Sequence, residues 1–380
     1  MYENMKDLSE IREKIDIVDQ KMIELFEERM QLANEVAEYK LSVGKPIYDK
    51  ERENEKLKKL SSLASNEFNA QGVQELFLQI MTISRRYQYS KIKDTFGYIG
   101  NEYQTMDSLK TKDTLRVVYQ GVEGAYSEQA MIQYFGEESE SYHVEQFEDV
   151  MKELEEGRAD YGVLPIENSS AGTVAGIYEL LAKYNLNIVA EEYVEVNQAL
   201  LALKGAKLSD IKTVFSHPQG LMQGSEFLET LGVKKVSLAN TAVSAMKVQK
   251  DQDITQAAVA SERAAKLYGL EVLNPNINNN KKNITRFVIL TKNKIYKKDA
   301  KKIAITFMLP HVSGTLFNAL AHFVYNQLSV TKIESKPLKD RPFEYRFFVE
   351  FNGNLQEETV RNALVGLEKE TVEFRLLGNF

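Results

Sequence analysis

The first ninety residues carry apolar side chains at the three-and-four spacing of an α-helix, and this periodicity predicts an all-helical N-terminal region. The first stripe runs through Leu8, Ile11, Ile15, Val18, Met22, Leu25, Leu32, Val36 and Tyr39. Gly44 and Pro46 interrupt it, and shorter stripes follow over 57–64 and 73–80. One long and two shorter helices do not readily close a core, so we expect a dimer.

The composition indicates a globular protein of several domains. A chain of 380 residues exceeds one ordinary hydrophobic core. The net charge of −7 argues against nucleic-acid or membrane-surface partners, which favour basic patches. There is no cysteine, and the four histidines lack metal-ligand spacing, so we expect neither a metal nor a cofactor. The N-terminus lacks a signal peptide's apolar core, which makes a cytoplasmic location the default.

Changes of periodicity divide the chain into four regions. Residues 1–92 are helical, and the polar segment 93–114 is typical of a linker. Residues 115–293 alternate short strands with helices, which predicts an α/β domain. A domain of this length could consist of two small lobes with a cleft between them. Residues 300–380 follow the order βαββαβ of a ferredoxin-like α+β sandwich. In its first strand Ile303, Ile305, Phe307 and Leu309 share one face, which predicts a one-sided sheet.

Polar residues occupy positions where the helical stripes should be apolar. They are Arg29, Lys40, Asp49, Glu53, Ser84 and Gln88. Arg29 and Lys40 are eleven residues apart, about three turns or roughly 16 Å, and so point the same way. Because buried charges cost several kcal/mol unless paired, the set indicates a pocket for a small anion. The alternatives are solvated surface residues or a structural ion network.

Arg12 precedes Arg29 by seventeen residues, about 25 Å along one helix. The two side chains cannot reach one small ligand from a single chain. If both bind it, one of them must come from a second copy of the chain.

The run IREKIDIVDQKMIELFEERMQLANEVAEYK followed by PIYDKERE resembles the all-helical class of chorismate mutase. The resemblance implies three helices in an intertwined dimer and a Claisen rearrangement of chorismate to prephenate. That step needs binding and charge stabilisation rather than an acid or base. The implied site residues are Arg12 from the second chain, Arg29, Lys40, Asp49, Arg52, Glu53, Ser84 and Gln88.

Four segments of the central region combine turn residues with hydroxyl and amide groups. They are GVEGAYS (121–127), VLPIENSSAGTV (163–174), FSHPQGLMQGSEFL (215–228) and NITRF (283–287). Each follows or ends a strand, where ligands of open α/β sheets bind, although such residues most often serve as caps and turns. There is no GxGxxG or GxxxxGK motif, which argues against nicotinamide or nucleotide binding.

In this order, the four segments resemble prephenate dehydratase. The resemblance implies a two-lobed, periplasmic-binding-protein-like domain that converts prephenate to phenylpyruvate. Its candidate residues here are Glu167, Asn168, Thr173, Ser216, Gln223, Thr285 and Arg286. Thr285, Ser216 and Glu167 are each possible donors to the departing hydroxyl. Arg286 is a candidate partner for a substrate carboxylate, although a neighbour on a strand would point away from Thr285.

The C-terminal region resembles the amino-acid-binding ACT domain, which implies allosteric inhibition by phenylalanine. Two motifs would form the ligand site: Gly314, Thr315 and Leu316 in the first, and Glu334, Ser335, Lys336 and Pro337 in the second. Lys336 replaces the family's arginine, which keeps the charge and loses the planar fork. The alternative is a purely structural dimerisation domain.

We therefore expect a bifunctional enzyme of phenylalanine biosynthesis with chorismate and prephenate as substrates. One rival is a mutase fused to prephenate dehydrogenase, which the missing dinucleotide motif disfavours. A second is a ligand sensor whose dehydratase activity has decayed, which the complete set of mutase residues disfavours.

Overall fold

The computed structural model of the chain describes residues 7–91, 98–109, 115–312, 314–338 and 341–380. The chain forms two compact units. The helical unit comprises residues 1–100, 312–328 and 356–372, and the sheet unit comprises residues 101–311, 329–355 and 373–380.

The helices and strands are numbered in chain order. The helices are α1 (Leu8–Ser42), α2 (Lys50–Ser61), α3 (Glu67–Ser90), α4 (Tyr126–Phe135), α5 (Phe147–Glu155), α6 (Ile177–Lys183), α7 (Pro218–Gln223), α8 (Ser225–Leu231), α9 (Thr241–Asp251), α10 (Glu262–Tyr268), α11 (Thr315–Tyr325) and α12 (Glu358–Glu370). The strands are β1 (Gln104–Met106), β2 (Arg116–Gln120), β3 (Glu140–Val144), β4 (Tyr161–Asn168), β5 (Gly172–Thr173), β6 (Asn187–Glu195), β7 (Ala199–Ala202), β8 (Thr213–Ser216), β9 (Lys234–Ser237), β10 (Gln256–Ala260), β11 (Glu271–Asn274), β12 (Ile284–Thr291), β13 (Ile295–Lys297), β14 (Lys302–Met308), β15 (Val330–Leu338), β16 (Arg341–Asn352) and β17 (Val372–Asn379).

In the helical unit, α1 to α3 lie where the apolar periodicity predicts them. Side chains cap the two shorter helices: Asp49 accepts a hydrogen bond from the backbone N–H of Arg52, and Asn66 accepts one from Asn69. Gly44, with φ +67°, lies in the turn after α1. These local signals place each break in the helical region where the sequence indicates it.

The apolar stripe of α1 faces water in the single chain. Ile15, Val18, Met22 and Leu25 are between 48 and 65% exposed. Ala37 is the buried residue of this 35-residue helix. A continuous exposed apolar face of this length is typical of a surface that another chain covers.

The sheet unit contains two main sheets. The larger has the strand order β15-β16-β14-β17-β6-β12-β4-β2-β3, with β5 paired to β4, and the smaller has the order β11-β7-β10-β8-β9. The chain passes between them twice, from β6 to β7 and from β11 to β12. The predicted two-lobed arrangement is therefore present, and the two crossings bring both lobes to one cleft.

The last four strands have the order β15-β16-β14-β17, which is the 2-3-1-4 order of a ferredoxin-like sheet. The predicted βαββαβ succession is also observed. The prediction of a one-sided sheet, however, is wrong for β14, because Ala304, Thr306 and Met308 are as buried as the apolar residues between them. Sequence periodicity did not reveal that these strands continue a larger sheet that is covered on both faces.

The continuation depends on a close backbone approach between β17 and β6. Gly378 pairs with Ile188 in parallel, and a Cβ at position 378 would lie 1.9 Å from the carbonyl oxygen of Ile188. Only glycine allows the two strands to meet at this distance.

The segment predicted as a linker is partly structured. Residues 92–97 and 110–114 lie outside the described residues, but 98–109 contain a 3₁₀ turn (Ile99–Glu102) and β1, which pairs with β13. The buried hydroxyl of Tyr103 donates to Asn187 at 2.6 Å, and Leu109 is buried. The absence of apolar periodicity concealed an ordered attachment to the sheet unit. Within the described ranges, no helix is long and apolar enough to cross a membrane.

Candidate active sites

A cavity of about 250 Å³ opens between α1, α2 and α3 of the helical unit. It brings together seven of the eight residues expected at a mutase site, namely Arg29, Lys40, Asp49, Arg52, Glu53, Ser84 and Gln88. Arg12, the eighth, is exposed and does not line it. Arg12 is thus too far along α1 to reach this cavity, as the distance of seventeen residues from Arg29 predicts.

Hydrogen bonds fix several of the cavity's side chains. Arg29 donates from Nη1 to the Ser84 hydroxyl at 2.7 Å, and that hydroxyl lies 3.0 Å from the Ile80 carbonyl oxygen. Lys40 donates from Nζ to the Ile47 carbonyl at 2.5 Å. Asp49 serves as the N-cap of α2 as well as lining the cavity. These contacts hold the cations in place before any ligand arrives, which lowers the entropy lost on binding.

The charge balance of this cavity favours a small anion. Arg29, Lys40, Arg52, Lys56 and Arg85 line it together with Asp49 and Glu53, so cations exceed carboxylates. Burial lowers the pKa of Arg29 and of Lys40, in each case partly offset by nearby carboxylates. Partial burial thus disfavours these isolated positive charges, and an anionic ligand would relieve that cost.

The cavity also contains a neutral group suited to hydrogen bonding. Gln88 is 7% exposed, and its Oε1 is buried without a hydrogen-bond partner in the part of the chain that the structure describes. An unpaired buried amide is costly unless a ligand completes its hydrogen bonds.

Arg85 and Lys56 also line the cavity, although the sequence did not single them out. Arg85 follows Ser84 and therefore lies off the helical stripe that led to Ser84 and Gln88. Only contacts distant in sequence reveal its setting, since it pairs with Glu53 and with Glu370.

A second cavity, of about 460 Å³, lies in the cleft of the sheet unit. Its walls come from the end of β2 and the start of α4, the β4–β5 loop, the crossing from β6 to β7, β12, α7 and the start of α9. Four of the expected dehydratase residues line it: Asn168, Thr173, Gln223 and Thr285.

Asn168 orients the hydroxyl of Thr285. The Asn168 Oδ1 accepts from the backbone N–H groups of Ser170 and Ala171 at 3.0 and 2.9 Å, which turns its Nδ2 towards β12. That Nδ2 donates to the Thr285 Oγ1 at 2.9 Å and to Asn283 at 2.7 Å. Because the Thr285 oxygen accepts from Asn168, its own proton is free to be donated to another group.

Glu167 and Arg286 lie on the opposite face of the sheet. The expectation that they belong to the dehydratase site is therefore wrong for the geometry of this cleft. Neither lines the cavity. Arg286 pairs with Glu350 at 2.7 Å, with Glu191 at 3.1 Å and with Glu167 at 3.3 Å. Successive residues of a strand alternate in direction, so the neighbours of Asn168 and Thr285 must point away from the cleft.

The expected place of Ser216 in the dehydratase site also differs from the structure. It is fully buried, its hydroxyl donates to the Val259 carbonyl at 2.7 Å, and it does not line the cavity. A Cβ at Gly220 would lie 2.5 Å from the Ser216 Oγ, so glycine allows α7 to pack against it. Ser216 therefore fixes β8 and α7 rather than facing a ligand.

His217, the next residue of the same motif, does line the cavity, and the sequence reasoning did not select it. Its Nδ1 accepts a hydrogen bond from the Gln219 N–H at 3.2 Å, and burial lowers the pKa of the imidazole. The histidine is therefore held neutral near pH 7, with Nδ1 as acceptor and Nε2–H as donor.

No lysine or arginine lines this second cavity in the ranges that the structure describes. Instead, Tyr126 and Ser127 at the start of α4 and Thr241 at the start of α9 form part of its wall. Helix N-termini present backbone N–H groups and positive potential, so they suit a ligand's carboxylates.

The residues expected at a regulatory site fall in both units. In the helical unit Gly314, with φ +82°, caps α11, and the Thr315 hydroxyl donates to the Val312 carbonyl; Leu316 is 37% exposed. In the sheet unit, Glu334 and Lys336 of β15 lie 2.9 Å apart on one face, and Ser335 and Pro337 alternate with them as exposed residues.

The sequence models of two families match the chain. Chorismate mutase type II matches residues 11–89, and prephenate dehydratase matches residues 117–295. A relative from Arabidopsis thaliana, the chloroplastic arogenate dehydratase/prephenate dehydratase 2, is 37% identical over 288 residues, which are 73% of this chain and 75% of that protein. The structure of an Arthrobacter aurescens prephenate dehydratase in complex with L-Phe has a TM-score of 0.65 and 27% identity, and covers 70% of this chain and 89% of that one.

Similarity also extends over the full length. The bifunctional chorismate mutase/prephenate dehydratase of Buchnera aphidicola subsp. Schizaphis graminum is 33% identical, covering 98% of this chain and 96% of that protein. Two cavities with separate linings thus coincide with two matched families in one polypeptide. The chain belongs to the bifunctional chorismate mutase/prephenate dehydratase family.

Proposed function

We propose that the helical cavity rearranges chorismate to prephenate and that the cleft of the sheet unit converts prephenate to phenylpyruvate. The observation that carries the proposal is the presence of two separately lined cavities, one with seven of the eight residues expected for a mutase and the other with four of the seven expected for a dehydratase. The chain would then perform two consecutive steps of phenylalanine biosynthesis.

The mutase step requires positioning and charge stabilisation. In a Claisen rearrangement a C–O bond breaks as a C–C bond forms, and negative charge develops on the ether oxygen. Arg29, held by Ser84, is placed to bind a carboxylate of chorismate. Lys40 and Gln88 line the same cavity and would donate to the ether oxygen. No proton needs to move, which fits a lining rich in fixed donors.

The dehydratase step requires one proton donor and a cleft that excludes water. The bond from the ring to the carboxylate breaks and releases carbon dioxide, its electron pair enters the ring, and the ring hydroxyl leaves as water after taking a proton. Thr285 would donate that hydrogen bond, because Asn168 already occupies its oxygen. The starts of α4 and α9 would bind the substrate's carboxylates.

Phenylalanine would inhibit through the C-terminal βαββαβ segment, acting as an ACT domain. The Arthrobacter relative's structure contains L-Phe, and β15 has a direct connection to the catalytic cleft. Glu334 of that strand accepts a hydrogen bond of 3.3 Å from Thr173, which lines the dehydratase cavity. A ligand that displaced Glu334 or Lys336 would release this part of the cavity wall.

The mutase would be a dimer in which Arg12 of one chain completes the site of the other. The exposed apolar stripe of α1 supports this, as does the absence of Arg12 from the lining of its own chain's cavity. Sedimentation measurements test the assembly directly, and a monomer at assay concentrations would contradict it.

We also assign the enzyme to the cytoplasm, consistent with a chain without cysteine. Cell fractionation tests this location.

The decisive experiment supplies the purified chain with chorismate and, separately, with prephenate. Phenylpyruvate should form from chorismate without NAD, and prephenate should appear as the intermediate. A requirement for NAD would indicate a dehydrogenase, and binding without turnover would indicate a sensor. A titration with phenylalanine, repeated on Thr173→Val, tests the proposed regulation: wild-type inhibition should weaken in the variant.

A further inference from the structure

Four largely buried polar side chains lie together beside the mutase cavity, and we name them the Arg85 cluster: Arg85, Glu53, Glu370 and His322. The guanidinium of Arg85 contacts the Glu53 carboxylate, and its Nε donates to Glu370 at 2.7 Å. The second oxygen of Glu370 lies 3.2 Å from the His322 Nε2. All four residues belong to the helical unit, although α11 and α12 follow α3 by more than 200 residues.

The burial of this cluster makes its geometry sensitive to the loss of one member. Arg85 is 4% exposed, and its Nη2 also contacts the Thr82 hydroxyl at 3.1 Å. The side chain of Glu370 is 9% exposed. Burying such charges is costly, and removing one partner leaves the other uncompensated. The cluster therefore has a defined arrangement that a surface ion pair would lack.

The position of Glu370 is unfavourable for its own helix. It is the last residue of α12, where the helix dipole is negative and a carboxylate is repelled. Its stabilisation comes from the Arg85 guanidinium instead, and the His322 imidazole lies beside it. A carboxylate kept at this position by contacts with α3 and α11 indicates a role in joining these helices.

Two members of the cluster also line the mutase cavity. Arg85 and Glu53 are both part of its wall, and Arg85 lies between Ser84 and Gln88 on α3. Arg85 is thus shared between a carboxylate of the cavity and a carboxylate of α12. Without Glu370, the guanidinium would be free to bind Glu53 with both Nη groups or to turn towards a bound anion.

Further contacts attach α3 to α11. Arg86 donates from Nη1 to the Tyr325 carbonyl at 3.2 Å, and its guanidinium stacks over the Tyr325 ring at 4.9 Å. The Tyr325 hydroxyl also contacts Gln79. The helix that carries Ser84 and Gln88 is therefore held by two helices of the C-terminal segment.

We infer that Arg85 is a positioning residue of the mutase site, anchored by Glu370, and that α11 and α12 thereby hold Glu53 in the orientation that binds chorismate. The inference rests on the proposed mutase function of this cavity. It makes the mutase dependent on a segment far outside the matched mutase region of residues 11–89.

The test uses full-length Glu370→Gln, which keeps the shape of the side chain and removes its charge. Glu53 would contact chorismate in the ground state and the transition state alike, so its misplacement should act mainly on KM. We expect KM for chorismate to rise about tenfold and kcat to stay within about twofold. Turnover of added prephenate should be unchanged. Glu368→Gln, on the same helix and outside the cluster, is the matched control and should match the wild type.

A second variant guards against a merely structural effect. Arg85→Lys keeps the charge but cannot hold two carboxylates in the same fork, so it should raise KM similarly. Combining it with Glu370→Gln should add little, because both changes release the same contact. Circular dichroism and sedimentation verify the fold. A KM within about twofold of wild type in both folded variants, or an equal loss of both activities, overturns the inference. Failure of the wild type itself to consume chorismate would instead reject the proposed function.

Discussion

Asn168 donates a hydrogen bond of 2.9 Å to the hydroxyl of Thr285 across the pairing of β4 and β12. The same register pairs Glu167 with Arg286 one position along, on the other face of the sheet. One strand pairing therefore separates a neutral donor pair in the cleft from a charged pair behind it. The two pairs should respond differently to substitution.

Replacement of Thr285 by alanine should let prephenate accumulate. Loss of the donor to the departing hydroxyl should lower dehydratase kcat about 100-fold or more. Chorismate consumption should continue, because the mutase cavity lies in the other unit. Thr285→Ser retains the hydroxyl and is the control. Phenylpyruvate formation from chorismate at the wild-type rate in Thr285→Ala would exclude the role.

Replacement of Arg286 by methionine should reduce stability more than catalysis. The change leaves the buried carboxylate of Glu350 without its partner, which typically costs about 3–5 kcal/mol, whereas Glu191 keeps its ion pair with Lys302. Urea unfolding measures the loss. Arg158→Met, which removes the ion pairs of an exposed arginine with Glu153 and Glu156, should leave the urea midpoint almost unchanged. A variant as stable as the wild type but without dehydratase activity would restore a catalytic role for Arg286.

Replacement of Gln88 by alanine should abolish the first step and spare the second. Removing a preorganised donor to a developing oxyanion typically costs about 10²- to 10³-fold in kcat. Chorismate consumption and turnover of added prephenate give the two rates independently. Gln74→Ala changes an exposed glutamine of the same helix and should have no effect. Equal loss of both activities in folded Gln88→Ala would contradict the separation of the sites.

Mixed dimers should reveal a shared mutase site. Arg12→Ala and Arg29→Ala should each be inactive alone, because every site would lack one arginine. Refolding the two together should restore about a quarter of the wild-type rate, since half of the dimers are mixed and each has one intact site. Dehydratase activity reports the amount of folded protein. No recovery in verified mixed dimers would mean that Arg12 does not act across the interface.

Local rules predicted much of the polar lining of the helical cavity, because those residues lie on helical stripes of one short region. Arg29, Lys40, Glu53, Ser84 and Gln88 violate an apolar pattern, and the violation itself marks the cavity. Arg85 was missed because it lies between two marked positions of α3. Its partner Glu370 is 285 residues away in the chain, and no periodicity connects them.

The site in the sheet unit was harder to predict, because the face of the sheet to which each side chain points decides whether that side chain lines the cleft. Motif membership grouped Glu167 with Asn168 and Arg286 with Thr285, whereas strand alternation divides each pair between two faces. At the end of β8, Ser216 was expected to line the cleft, whereas its neighbour His217 does so. Strand alternation already indicated that Arg286 points away from Thr285, but the pairing of strands, which decides which face lines the cleft, could not be derived from the sequence.

Acid should remove the stabilising effect of Glu370 at a defined pH. Burial opposes its ionisation, but the contact with His322 and the charge of Arg85 prevail, so its pKa lies below the ordinary 4.5. A carboxyl with a lowered folded pKa stabilises the protein above its unfolded pKa, and this contribution disappears as pH falls through the folded value. Glu370→Gln should therefore be less stable than the wild type near pH 7, and the difference in urea midpoint should shrink from about pH 5 downwards. Glu368→Gln should parallel the wild type throughout, and a constant difference for Glu370→Gln would mean that the charge of Glu370 does not contribute.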